Sequence, residues 1–169
     1  MIRFPDLVAD ERTTLEQFLD FHRHSVLEMV DGVGDDDAAA ALLPATTMTI
    51  GGIVKHLSRM EDLWFQKKLR GVPMPEPWAS APLDVDDDWD FHSSRRDSVR
   101  DIRALYVAAC QRSRSAAARY PDLGQLAAQP SFGTKLVSLR WILVHMIEET
   151  AQHRGHLDLL HDALGQGER

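Results

Sequence analysis

An all-α protein, a four-helix bundle with long connections between its helices, is what this sequence predicts, and three observations carry the expectation. Eight prolines fall at 5, 44, 73, 75, 77, 82, 121 and 130, leaving four long windows free of them: 6–43, 45–72, 83–120 and 131–169. Proline costs about 3 kcal/mol in a helix interior, so these windows permit four long helices. Apolar residues then recur inside each window at three- and four-residue spacing, and no stretch alternates with period two over strand length.

In the first window Leu15, Phe18, Leu19, His22, Val26, Met29 and Val30 form the stripe. Thr14 with Gln17 reads as a capping box, and Gly32 stands where the helix should stop. The second window places Ile53, His56, Leu57, Met60, Leu63 and Trp64 on one side, with Thr49 as N-cap and Gly71 as terminator. Val99, Ile102, Leu105, Tyr106 and Ala109 make the third stripe, and Arg112, Arg114 and Arg119 coat its far end. The fourth helix is expected from the N-cap Ser138 to Gly165, with Ile142, Met146, Leu157, Leu160 and Leu164 inward. Four amphipathic helices around one core make a bundle.

Residues 33–48 and 71–94 are long for helix–helix connections, which usually take 2–8 residues. The second contains PMPEPW and the acidic run DVDDDWDF. Read blandly it is a solvated linker ending in a helix cap. Trp78, Trp89 and Phe91 would be costly to leave in water, however, so the loop is expected to fold back over one end of the bundle.

The 169 residues, 44% hydrophobic and 27% charged, suit a single domain over 1–169 with a core of its own. No apolar run approaches the ~20 residues of a membrane span, and no secretory signal is visible. The one cysteine, Cys110, reads as a small buried hydrophobe and fits a reducing cytoplasm, the expected location. A net charge of −7 argues against general nucleic-acid binding.

The informative anomaly is polar residues on apolar stripes. Glu149 and His153 are i and i+4 on the last helix, on the face of Ile142, Met146, Leu157 and Leu160. His56 interrupts the second helix between Ile53 and Met60. Two imidazoles and a carboxylate suit zinc, nickel or ferrous iron, and three protein ligands leave a coordination position open. Spacing alone leaves a second option standing, a buried Glu149–histidine ion pair that only joins helices. His145 and His156 lie near the same face, so spacing does not select the ligands. His22, His24, His92 and His161 have no partner spacing and read as surface or packing residues.

The segments SLRWILVHMIEETAQHRGHLDLL and TIGGIVKHLSRMEDLWFQ, with the PW and DDDWDF loop, resemble the DinB-like superfamily of metal-binding helical bundles. More narrowly they resemble the branch of uncharacterised proteins formerly grouped as DUF664. Many DinB-like members use three histidines; Glu149 stands here for one of them, which is similar to the His–Glu–His set of mycothiol-dependent maleylpyruvate isomerases. The resemblance implies that His56, Glu149 and His153 hold a divalent metal, zinc ahead of nickel or iron. It leaves His145 and His156 as supporting or packing residues.

What the resemblance further implies is thiol chemistry: a thiol-dependent S-transferase or isomerase acting on small electrophiles, with mycothiol as the first candidate thiol. Arg154 is a weaker candidate for binding an anionic thiol or substrate. Two alternatives stay open, a non-enzymatic stress-associated or structural metal-binding bundle and a metal-dependent hydrolase. DinB-like bundles often pair as homodimers, and Trp64, Phe65, Trp141 and Leu143, if exposed together, would form an apolar face for that; the alternative is that the long 33–48 and 71–94 loops cover them.

Overall fold

A computed structural model describes residues 4–167. The chain is helical, and among the described residues the only β-pairing is two isolated bridges, Leu126 with Ser138 and Phe132 with Lys135. No described helix is long and apolar enough to cross a membrane.

Helix α1 spans Glu11–Met29. Its cap is Asp10, not Thr14: the Asp10 carboxylate accepts from the Thr13 backbone N–H at 3.0 Å and from its hydroxyl at 2.6 Å. An aspartate here both satisfies a free N–H and sets negative charge at the positive end of the helix dipole, so the helix starts earlier than a capping box at Thr14 implies. Past α1 the chain turns at Gly32 with φ +82°. The 33–48 connection is not wholly loop, because Asp35–Ala39 form the short helix α2.

Helix α3, Ile50–Asp62, begins at Thr49, whose hydroxyl accepts from the Gly52 N–H at 3.0 Å. It runs on as a π-helical segment, Leu63–Leu69, in which Trp64, Phe65, Gln66 and Leu69 are all buried. Gly71, at φ +68°, follows directly. The 71–94 connection carries a short helix α4, Trp89–Ser94. Helix α5, Val99–Ala117, is capped by Ser98. Helix α6, Leu139–Gly167, starts beside Ser138, whose hydroxyl accepts from Trp141 N–H at 3.2 Å. Gly165 lies within α6 and does not end it.

Helix α1 lies along α6, α3 packs against α5 and α6, and α4 lies on α3. Two glycines at the start of α3 let neighbouring helices come close, Gly52 to α4 and Gly51 to α2. A Cβ at Gly52 would come within 2.9 Å of the Phe91 ring, and one at Gly51 within 3.2 Å of the Ala38 carbonyl. The expected apolar pairing face is not assembled. Phe65 and Leu143 are 1% exposed and Trp64 is buried, because Trp64 and Phe65 of the π-helical segment and Leu143 of α6 pack into one core cluster; Trp141 alone of the four is well exposed.

The core is divided. One apolar cluster gathers Leu19, Phe65, Leu69, Ile142 and Met146, the other Val26, Ile53, Leu57, Tyr106 and Leu157. Between them lies a polar layer that includes buried Arg23, Ser58, Glu61, Ser113 and Thr150. The Arg23 guanidinium grips the Glu61 carboxylate through two bonds, Nε to Oε1 at 2.7 Å and Nη2 to Oε2 at 2.6 Å. Cys110 Sγ sits 3.9 Å from Glu61 Oε1, and burial, reinforced by that carboxylate, pushes its thiol pKa well up.

Removing one partner of a buried pair leaves an uncompensated charge, at a cost of about 3–5 kcal/mol. Arg23→Met should therefore lose stability of that order in urea unfolding followed by circular dichroism. The double variant Arg23→Met with Glu61→Leu should recover most of the loss. A single variant within about 0.5 kcal/mol of the parent would show that the pair is not what holds α1 to α3.

Candidate metal centre

His56 projects from α3 and Glu149 and His153 from α6, and the three meet at the edge of the polar layer. Their ligand-type atoms all lie within 4.8 Å of one another. Glu149 Oε1 is 3.1 Å from His56 Nε2 and 3.4 Å from His153 Nε2. For a tetrahedral ion with bonds of about 2.0–2.1 Å, neighbouring ligand atoms stand about 3.3 Å apart, so this donor set fits such an ion with little rearrangement. The side chains keep 14%, 19% and 11% of their surface exposed for His56, Glu149 and His153 respectively, so the cluster is not sealed from solvent.

Each histidine is held from behind. His56 Nδ1 lies 2.8 Å from Oδ2 of Asp90, a carboxylate with no exposed surface on α4, and Arg59 Nε lies 2.9 Å from the same oxygen. The Phe91 ring stacks on the His56 imidazole at 4.8 Å. His153 Nδ1 faces His156 Nδ1 at 3.4 Å. A metal-binding imidazole needs its second nitrogen fixed so that the first presents a lone pair, and a carboxylate is the usual partner.

The charges are tuned by these contacts. Hydrogen bonds from His153 and then His56 hold the Glu149 carboxyl well below the usual carboxylate range, against the opposing effect of burial. Burial works against charge on His56, but bonds to Asp90 and Glu149 outweigh it and raise its pKa. Burial, and then the neighbouring His153, lower that of His156.

The remaining sequence candidates lie elsewhere. His145 stacks on Trp141 at 5.0 Å and meets Trp64 edge-on at 4.7 Å, which places it in a ring cluster one turn from Glu149. Arg154 lies over the Phe21 ring at 5.7 Å, on the α1 side of α6. It lines a cavity with Ser25, Glu28, Met29 and His161, none of them part of the cluster. Its Nε is buried without a hydrogen-bond partner. His24 and His92 are exposed and bonded to Asp20 and Asp86. Asp90 was not singled out from the sequence, where it stands in an acidic run; its only signal is that it lies between Trp89 and Phe91, two residues needing burial.

Comparison with known proteins gives a consistent picture. A family model described as mycothiol-S-transferase matches residues 14–166. No curated protein gives a significant match. Among solved structures, the chain superposes on a conserved protein from Enterococcus faecalis with a TM-score of 0.72 and 14% identity, over 92% of this chain and 98% of that one. A DinB-like protein from Bacillus cereus superposes with a TM-score of 0.61 and 18% identity, over 89% of this chain and 92% of that one. These likenesses place the fold among DinB-type helical bundles.

Without metal, the cluster's contribution to stability depends on pH in two ways. The depressed Glu149 pKa stabilises the fold above the ordinary glutamate value of about 4.3, and that contribution is lost as pH falls below it. The raised His56 pKa stabilises the fold below about 6.5, and that contribution is lost as pH rises through the folded value. In the presence of chelator, the stability gap between parent and Glu149→Gln should therefore be widest between about pH 4.5 and 6.5 and narrow on both sides. Unfolding curves across pH 3–9 giving a constant gap would mean that the carboxylate is not paired with these imidazoles.

Proposed function

The chain belongs to the mycothiol-S-transferase family, and we propose that it moves the sulfur of a low-molecular-weight thiol onto small electrophiles at a divalent-metal centre held by His56, Glu149 and His153. The observation that carries this reading is the convergence of two Nε2 atoms on one carboxylate oxygen, with both rear ring nitrogens already engaged. Zinc is the first choice of ion for two histidines and a glutamate, ahead of nickel and iron. When bound, the metal supplies a Lewis acid that holds a thiol as thiolate at neutral pH.

The chain's own residues do the rest. Glu149 supplies the negative charge of the donor set, and its depressed pKa keeps it ionised throughout the working range. Asp90 and His156 orient the two imidazoles. The thiol proton leaves to solvent, and the sulfur lone pair forms the new C–S bond while the leaving group departs with its bonding electrons. Mycothiol is the first thiol to test because the family match carries its name. For the electrophile, exposed Trp141 on α6 and Phe132 in the connection before it offer apolar ring surface beside His145, over the buried Trp64. Arg154 lines another cavity, so an anionic substrate group reaching it there would bind on the α1 side.

Metal titration with a competing chelator tests the site. The parent should bind one divalent ion per chain, His153→Ala should bind none at stoichiometric concentrations, and affinity should fall as pH drops through about 6, where free imidazole is lost. A variant lacking His56, Glu149 and His153 that bound metal like the parent would remove the site. For the thiol, cobalt-loaded protein should develop a sulfur-to-metal charge-transfer band with mycothiol near neutral pH, and chelator should abolish both the band and S-transfer. Silence with mycothiol, glutathione and bacillithiol, together with thiol-independent ester or amide cleavage, would make the protein a hydrolase.

A further inference from the structure

The 71–94 connection is more than a cover. It crosses to α3 and is fastened there by side chains of both segments. Trp78 is buried and donates from Nε1 to Asp62 Oδ2 at 3.0 Å. Trp89 carries the Lys55 ammonium over its ring at 4.6 Å, and Arg59 Nη1 donates to the Asp87 carbonyl at 3.1 Å. The strap then ends in α4, which sets the Asp90 carboxylate and the Phe91 ring against His56.

Asp90 is the one hydrogen-bonding link in this series that touches a candidate metal ligand, beside the stacked Phe91 ring. A carboxylate with no exposed surface can remain charged only with partners, and here they are His56 Nδ1 and the Arg59 guanidinium, one turn apart on α3. The imidazole N–H directed at Asp90 leaves Nε2 turned toward Glu149 and His153. Phe91 and the close approach at Gly52 stop α4 from sliding along α3.

We infer that Asp90 is a positioning residue for the metal site, and that strap docking and metal loading reinforce each other through the Asp90–His56 hydrogen bond. The inference rests on the metal reading above. Anything that orders His56 for metal favours a seated α4, and a seated α4 presents His56 in the ring orientation that the metal needs. By thermodynamic reciprocity the two couplings are of equal size.

Zinc affinity of the metal-free protein, measured against a chromophoric chelator, and hydrogen–deuterium exchange across residues 86–94 test it together. Asp90→Asn should weaken zinc about 10–100-fold, the range for loss of a ligand's supporting carboxylate. Asp97→Asn is the control, because it loosens another tie to α3, Lys55–Asp97, that touches no ligand; its zinc affinity should stay within about threefold of the parent. In the unaltered parent, zinc should slow exchange in α4. Equal zinc affinity for Asp90→Asn and the parent, or an equal loss in Asp97→Asn, would overturn the inference while leaving the metal site standing. Should Asp90→Asn fail to fold, the parent's exchange decides, and no slowing of α4 by zinc overturns it. A parent that binds no zinc, cobalt or nickel removes the metal reading and this inference with it.

Discussion

A carboxylate taken out of water inside a helical bundle must find its counter-charge there, since the cost of leaving it unpaired exceeds what any one side chain gains by burial. Among the described residues this happens three times. Glu61, Asp62 and Asp90 have no exposed surface, and each meets an arginine: Arg23, Arg112 and Arg59. All three pairs involve α3. Through Glu61 it holds α1, through Asp62 it holds α5 and the Trp78 indole, and through Arg59 and His56 it holds α4. The order of packing follows from charges that can be satisfied in only one arrangement. Sliding α1 by one turn, about 5.4 Å, would part both bonds between Arg23 and Glu61.

The same requirement explains where the candidate site lies. The polar layer interrupts the core between its two apolar clusters, and on α6 the interruption falls at Glu149, Thr150 and His153. Toward α1 the layer is closed by Arg23. On the side covered by the 71–94 strap it stays partly open, and there the polar groups are imidazoles and a carboxylate with spare lone pairs. A buried ion pair is worth little net stability against a well-packed apolar substitute. What the layer supplies is a fixed height in the bundle at which polar chemistry can be held without solvent filling the core.

The four long helices were legible because proline and periodicity are local signals, read within a few residues of where they act. Thr49, Gly71 and Ser138 could be placed for the same reason. The true start of α1 was not, since Asp10 and Thr14 are both acceptable caps and only the folded backbone chooses between them. Nor was the π-helical segment, which carries no sequence mark and buries Phe65 alongside Trp64. Within the site, Glu149 and His153 could be set together from an i, i+4 spacing alone. Joining them to His56 needed a family likeness, because that contact spans 93 residues. Asp90 stayed hidden in its acidic run for a similar reason: its partners lie 34 and 31 residues upstream, and four neighbouring aspartates share its composition but not its burial.

The position of Cys110 has a consequence for a protein whose family handles thiols. The residue is 2% exposed, its sulfur lies beside the Glu61 carboxylate, and burial first and that carboxylate next push its thiol pKa well above the ordinary value. A neutral, enclosed thiol is a poor nucleophile and a poor partner for disulfide exchange. In the folded chain this sulfur is therefore shielded from alkylating agents and from exchange with another thiol. The buried carboxylate that fastens α1 to α3 adds to burial in keeping the neighbouring sulfur protonated.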